Sequence, residues 1–183
     1  MNPVPLFLII VSLPLLLGGC GIEEPVAEVK PVEEVPLNPN LNYEIKGDAV
    51  TITGCDRKAS GALTIPATIE GKTVTSIGEK AFTGCTRLTS ITIPEGVPNI
   101  ASGAFFQCTN LKSVMIGNGI TSISKYAFVS CTNLTAVTFL GDAPKEGLEI
   151  FEKSSPTIYR KSEAKGWGET FAGRPVKLIS EKP

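Results

Sequence analysis

Residues 81–94, AFTGCTRLTSITIP, decide the fold, because their pattern is repeated twice further along the chain. Residues 104–117 read AFFQCTNLKSVMIG and residues 127–140 read AFVSCTNLTAVTFL, each 23 positions after the copy before it. A fixed period of about 20 to 50 residues predicts a solenoid or another repeat array. The residues that keep this step form columns: Ile77, Ile100 and Ile123; Ala81, Ala104 and Ala127; Phe82, Phe105, Phe128 and Phe151; Cys85, Cys108 and Cys131; and Leu88, Leu111 and Leu134.

Each repeated unit combines a short strand with a turn. Its apolar residues alternate, as at Ile91 and Ile93 or Val114 and Ile116, which is the period of a strand with one buried face. The Ala-Phe-x-x-Cys portion has helical spacing but is too short for more than about one turn. The sequence therefore predicts a β-rich solenoid with coils of about 23 residues, each a strand, a turn, a short extended piece and a helical turn.

The line L-x-x-[IV]-x-[IF], followed by A-F-x-x-C-T-x-L, resembles the BspA-type leucine-rich repeat family of microbial surfaces. The resemblance covers about residues 52–151, and all of its columns are filled in the middle three copies. It implies a leucine-rich repeat solenoid that works by binding rather than by catalysis.

We expect the repeats over residues 63–139, with a cap at each end. Residues 42–62 contain two strand-like runs joined by a Gly-Asp turn, which suits an N-terminal cap. Near the other end Ser154 replaces the column cysteine, and two strand-like runs and the single tryptophan follow. Residues 140–183 are therefore expected to form the last coil and a C-terminal cap, because an uncovered last coil would be a sticky edge. A small independent module is the alternative.

The chain begins with a predicted lipoprotein signal peptide, residues 1–19. Residues 4–17 form an uncharged apolar run that fits a signal-peptide core and is short for a membrane-spanning helix. The following Leu-Gly-Gly-Cys resembles a bacterial lipobox, which implies acylation of Cys20 and cleavage before it. No Lys or Arg precedes the run, so a plain secretory signal or an uncleaved anchor is the alternative.

Residues 20–41 are expected to form the lipidated cysteine and a tether. Positions 21–41 hold four prolines, five glutamates and one lysine, a composition that favours extended chain over a packed core. The predicted location is the bacterial cell envelope, at the outer membrane or cell surface, with the lipid on Cys20 as the membrane contact.

The bulk composition makes several function classes improbable. The 183 residues carry a net charge of −1, so neither sign dominates and nucleic acid is not expected as a partner. There is no histidine, which removes Ser/His and Cys/His nucleophilic systems and the commonest metal ligand. We expect no enzymatic activity, no cofactor and no metal.

The cysteine column invites three interpretations. Cys85, Cys108 and Cys131 recur at one position of successive coils, where a small, apolar, buried side chain is needed. We predict a structural ladder of free thiols. A disulfide, for which Cys55 is the only other partner, is an alternative, and a zinc site is disfavoured because a linear stack lacks tetrahedral geometry.

Alternating strand residues that point away from the core form the predicted binding face. We call them the concave strip, because they correspond by position to the binding faces of leucine-rich repeat proteins: Ser90, Thr92, Ser113, Met115, Ala136 and Thr138. The strip is small and uncharged. We expect an envelope-anchored module that binds an unknown protein or glycan, or mediates adhesion; a structural envelope or periplasmic scaffold is the alternative.

Overall fold

The computed structural model describes residues 37–182, which form fourteen strands and one short 3₁₀ helix. The predicted signal peptide, Cys20 and most of the tether lie outside the described residues. No helix among the described residues is long and apolar enough to cross a membrane. In chain order the elements are β1 (Leu41–Lys46), β2 (Ala49–Cys55), β3 (Gly61–Thr64), β4 (Thr68–Ile69), β5 (Lys72–Ile77), β6 (Leu88–Ile93), β7 (Asn99–Ile100), β8 (Ser113–Ile116), β9 (Ser122–Ile123), β10 (Ala136–Phe139), β11 (Lys145–Glu146), β12 (Thr157–Arg160), β13 (Thr170–Phe171), β14 (Arg174–Leu178) and η1 (Ile179–Glu181).

The strands make two sheets along a solenoid, as the sequence predicts. The first sheet has the order β13-β14-β12-β10-β8-β6-β3, and the second has β1-β2-β5-β7-β9-β11, with β4 paired to β5. Successive coils pair in parallel and in register, so that Ile91 lies beside Val114 and Val114 beside Val137. The 23-residue period therefore places equivalent residues next to each other, and the predicted solenoid is confirmed.

The third side of each coil differs from the predicted helical turn. Residues 79–84 and their equivalents are hydrogen-bonded turns rather than helix. The N–H of Thr83 bonds within its coil, to the carbonyl of Lys80, but the N–H of Phe82 bonds to Ala104 of the next coil. In an α-helix every N–H points along the helix axis and bonds within the helix. A helical turn could therefore not donate every second N–H to the next coil.

The alternation between N–H bonds within a coil and N–H bonds to the next coil requires two left-handed backbone positions in each coil. One comes just before the Ala-Phe pair and the other comes two residues after the phenylalanine. They are Lys80, Gly103, Tyr126 and Glu149 at the first position, and Gly84, Gln107, Ser130 and Lys153 at the second. Most of these residues are not glycine, so the stacked coils tolerate a conformation that side chains usually avoid.

The core lies between the two sheets and the turn side. Its centre is a stack of the column phenylalanines, in which the ring centroids of Phe82 and Phe105, and of Phe105 and Phe128, are 4.9 Å apart. Phe151 continues the stack at 5.6 Å. All four rings are buried, and the alanine, cysteine and leucine columns are buried around them.

The N-terminal cap is an antiparallel hairpin of β1 and β2, with Gly47 at positive φ in the turn. It begins at Leu41, one residue before the predicted cap. Strand β2 pairs in parallel with β5, so the hairpin covers the end of the second sheet. The first sheet begins with β3.

The C-terminal cap continues the first sheet with two parallel strands and ends it with an antiparallel one. Strand β12 pairs with β10 and β14 pairs with β12, both in parallel, and β13 folds back antiparallel on β14. Phe139, Trp167 and Phe171 pack together with centroids 4.9 to 5.6 Å apart. This aromatic cluster covers the end of the core.

Candidate functional site

The concave strip is arranged in two rows across the first sheet. Ser90, Ser113 and Ala136 are register partners on successive strands, and so are Thr92, Met115 and Thr138. Neighbouring strands lie about 4.8 Å apart, so each row is a continuous line of side chains. The residues expected to form one face are therefore placed on one face.

Their exposure is less uniform than the alternation of the strands predicts. Met115 is 42% exposed, and Ser90, Thr92 and Ser113 are half-buried. Thr138 and Ala136 were expected to face solvent, and this expectation is wrong, because they are 5% and 8% exposed.

The neighbours of Thr138 supply a physical reason for its burial. Its register partners are Met115 on one side and Tyr159 on the other, and both have longer side chains. Alternation fixes the direction of a side chain, whereas coverage depends on the length of its neighbours. The accessible part of the strip is therefore its N-terminal half.

The structure also extends both rows beyond the predicted six residues. Ala62 and Thr64 on β3 are partners of Ser90 and Thr92, and both are exposed. The match between Thr64-Ile65-Pro66 and Thr92-Ile93-Pro94 carries the signal for this extra strand. Thr157 and Tyr159 continue the rows on β12, but the run that contains them departs from the repeat.

Positive charge is found at the C-terminal end of the row that contains Thr92, Met115 and Thr138. Lys177 on β14 is the register partner of Tyr159 and is exposed. The Nζ of Lys182 lies 5.6 Å from the centroid of the Tyr159 ring, within the range of a cation–π contact. The row thus runs from neutral hydroxyls at Thr64 and Thr92 to ammonium groups.

Three surface depressions lie at the C-terminal part of the described chain. Three depressions of about 440, 420 and 330 Å³ surround the C-terminal cap. None of the six strip residues lines them. A row of side chains that lines none of these depressions suits the surface of a macromolecule better than a small ligand that needs an enclosed pocket.

The predicted cysteine ladder is buried and is bonded to the backbone of the preceding coil. The thiol of Cys108 donates to the carbonyl of Phe82 at 3.0 Å, and that of Cys131 donates to the carbonyl of Phe105 at 3.1 Å. Both cysteines are fully buried. The pKa of Cys108 is raised, first by the neighbouring Cys131 thiol and second by burial. Within residues 37–182, no three His, Cys, Asp or Glu side chains converge as a metal site would require.

The same carbonyl column continues past the cysteines with different donors. Ser154, at the column position, donates Oγ–H to the carbonyl of Phe128 at 2.7 Å and accepts from the N–H of Cys131 at 2.9 Å. At the end of the stack, Nη2 of Arg174 donates to the carbonyl of Phe151 at 3.1 Å. The ladder therefore acts as a hydrogen-bonding column that cysteine, serine and arginine can each complete.

Comparison with known families and structures identifies relatives of this architecture. Residues 62–160 match the BspA type leucine rich repeat region in six copies. A leucine-rich repeat protein from Bacteroides capillosus is 30% identical, with 71% of this chain and 100% of that chain covered and a TM-score of 0.58. No match was found among curated proteins.

Two further solved structures share the fold. A leucine rich cell surface protein from Faecalibacterium prausnitzii is 25% identical, with 79% of this chain and 42% of that chain covered and a TM-score of 0.55. A leucine rich repeat protein from T. pallidum is 24% identical over 69% of this chain and 71% of that chain, with a TM-score of 0.51, and this likeness concerns the fold alone.

Proposed function

The chain belongs to the BspA-type leucine-rich repeat family, and from this premise we propose that it is a non-enzymatic binding module on the bacterial envelope. The module binds a protein or a glycan through the concave strip and is held to a membrane by a lipid on Cys20. The solved relative from Faecalibacterium prausnitzii is a cell surface protein, which supports an envelope location.

The observation that carries the proposal is the in-register row of Thr64, Thr92 and Met115. These side chains are exposed or half-buried, uncharged and evenly spaced on a sheet held rigid by its neighbours. Such a row offers a ligand two hydroxyl groups on short side chains, which lose little entropy on binding, and one apolar thioether side chain.

A ligand is sought by testing the folded protein against arrays of glycans, matrix proteins and envelope components. The variant Thr92→Lys then tests the binding face, because it places a long cation in the middle of the accessible row. We expect its free energy of unfolding to fall by about 1 kcal/mol or less, because Thr92 is a half-buried strand residue whose side chain faces away from the core. Binding should weaken by at least tenfold.

The matched control is Thr86→Lys, which adds the same cation to an exposed position on the turn side of the same coil. This variant should bind as the unaltered protein does. If both variants bind the ligand equally well, the concave strip is not the binding face.

Anchoring is tested separately from binding. Intact mass of the protein extracted from membranes should show an acylated N-terminal Cys20, and an unmodified protein that starts elsewhere contradicts the anchor. Protease treatment of whole cells should release a displayed binding module. A periplasmic scaffold without a dedicated ligand would instead be spared, and would give no array hit that responds to Thr92→Lys.

A further inference from the structure

The cysteine ladder ends differently at its N-terminal side. Cys85 cannot bond to a phenylalanine carbonyl of a preceding coil, because the cap stands in place of that coil. Its sulfur lies 3.8 Å from the carbonyl oxygen of Cys55, whereas the equivalent contact at Cys108 is 3.0 Å. The last residue of β2 therefore brings a second cysteine to the end of the column.

Solvent exposure distinguishes Cys55 and Cys85 from the other two cysteines of the described fold. Cys55 is half-buried, while Cys85 behind it is 1% exposed. Cys108 and Cys131 are 0% exposed, with the coils of the solenoid on both sides. A reagent in solution can reach Cys55, and through Cys55 it can reach Cys85, without the coils separating.

The surroundings of the pair favour an ionised sulfur. The side chain of Arg57 passes over the turn that holds Cys85, and a Cβ built on Gly84 would lie 3.8 Å from its Nε. The Cys55 thiol has the largest effect on Cys85 and lowers its pKa, and the Arg57 charge lowers it further, against the opposing effects of burial and Asp56. Cys85, followed by burial, raises the pKa of Cys55, whose thiol donates to the carbonyl of Asp56 at 3.6 Å. The positive charge of Arg57 thus acts on the buried sulfur of Cys85, whereas the half-buried Cys55 is the member of the pair that keeps its proton.

We propose that Cys55 and Cys85 form a thiol–disulfide exchange site that reacts with low-molecular-weight disulfides and closes a bond between the N-terminal cap and the first coil. In the first step the Cys55 sulfur attacks one sulfur of the external disulfide, and the Cys85 thiolate accepts the Cys55 proton. The external sulfur–sulfur bond breaks, and one thiolate leaves.

In the second step Cys85 loses that proton to the departing thiolate and attacks the Cys55 sulfur of the mixed disulfide. The second external thiolate leaves and takes a proton from solvent. The two cysteines have lost two hydrogens, and the external disulfide has been reduced to two thiols. Reduction by an excess of thiol reverses both steps.

The bond would join the N-terminal cap to the first coil, between two cysteines that are 30 positions apart in the sequence. Closing a loop of that length restricts the unfolded chain, so the oxidised protein should be the more stable form. It would fix the β1–β2 hairpin to the turn side of the first coil, in addition to the pairing of β2 with β5.

The test uses the full-length chain carrying Cys20→Ser, so that the thiols counted are the four of the described fold. The folded protein is incubated with glutathione disulfide, then unfolded, labelled with a maleimide and mapped by peptide mass spectrometry. We expect two of four labels to be lost, a Cys55–Cys85 linked peptide, and recovery of all labels with dithiothreitol. The midpoint of thermal unfolding should rise by roughly 5–10 °C.

Two variants locate the chemistry. Cys85→Ser keeps a hydrogen-bonding side chain in the column, as Ser154 does, but removes both the proton acceptor and the second nucleophile, so a glutathione adduct on Cys55 should form slowly and no linked peptide should form. Cys131→Ser should leave the exchange intact. The proposal is overturned by retention of all four labels, by a stable adduct on Cys55 in the unaltered protein, or by a link that maps to Cys108 or Cys131.

Discussion

Phe105 and Phe106 are adjacent in the sequence and lie in opposite environments. Phe105 is 0% exposed and stacks between Phe82 and Phe128, while Phe106 is half-buried on the turn side. We expect Phe105→Ala to lower the free energy of unfolding by about 3–5 kcal/mol, because it removes a ring from the middle of the stack. Urea denaturation measures the change. Phe106→Ala should cost much less, and equal losses would contradict the alignment of the repeats.

Ser154 gives a second prediction for a single residue. Its hydroxyl satisfies the carbonyl of Phe128 and the N–H of Cys131 in a buried setting. Ser154→Ala should cost about 1–3 kcal/mol, since both partners lose their bond where water cannot replace it. Ser154→Cys restores the residue found in the other coils and should cost less, as measured by thermal and chemical denaturation. A loss as large as that of alanine would mean that the column requires oxygen at this position.

The positions of core residues could be predicted from the sequence, whereas the exposure of some surface residues could not. The phenylalanine, alanine and cysteine columns were predictable, because identical residues at a fixed step can only reflect identical surroundings. The burial of Thr138 was not, because its coverage depends on Met115 and on Tyr159, and Tyr159 follows Thr138 by 21 rather than 23 positions. Strand alternation supplies direction, and neighbouring side chains decide exposure.

At the scale of the element, the tightest contacts are between the turns of stacked coils. A Cβ at Gly117 would lie 2.6 Å from the backbone nitrogen of Glu95 and 2.7 Å from the carbonyl oxygen of Pro94. Gly117→Ala should therefore cost about 1–3 kcal/mol, because the backbones would have to separate. Gly168→Ala is the control, since its nearest contact would be 3.6 Å. It should change the free energy of unfolding by under about 0.5 kcal/mol. Similar losses for both would rule out close backbone approach as the cause.

The turn side was the element that the sequence described least well. The spacing in Ala-Phe-x-x-Cys fits a helix, but spacing along one chain carries no information about bonds to the next coil. The N–H groups of Phe82 and Gly84 are used for such bonds, and this excludes a helical turn. At the C-terminal end, the contact of Arg174 with the last phenylalanine carbonyl could not be predicted from the sequence. No second copy of that residue exists to reveal its column.

At the scale of the whole molecule, stability should be the sum of coils and their interfaces. Deletion of residues 104–126 removes one period and joins Gly103 to Ala127. The junction is conformationally matched, because Gly103 and Tyr126 have φ values of 60° and 63°. We expect a folded solenoid with one coil fewer and a urea m-value lower by roughly one sixth. Circular dichroism and urea denaturation measure both.

The control deletion removes residues 104–114, about half of a period. It brings strand residues into the turn position and places polar side chains in the core columns, so it should abolish cooperative unfolding. A folded protein after this deletion, or an unfolded one after removal of a whole period, would show that the columns do not set the architecture.

The matched left-handed positions at the coil boundaries have a consequence for inheritance. A crossover between the coding segments of two coils exchanges a whole number of codons, so it keeps the reading frame and joins one permitted backbone conformation to another. We expect the product of such an event to fold, with the sequences of its two ends unchanged. We expect lineages that carry this gene to differ in the number of internal copies while keeping both termini, because selection acts on copy number more easily than on the shape of a single copy.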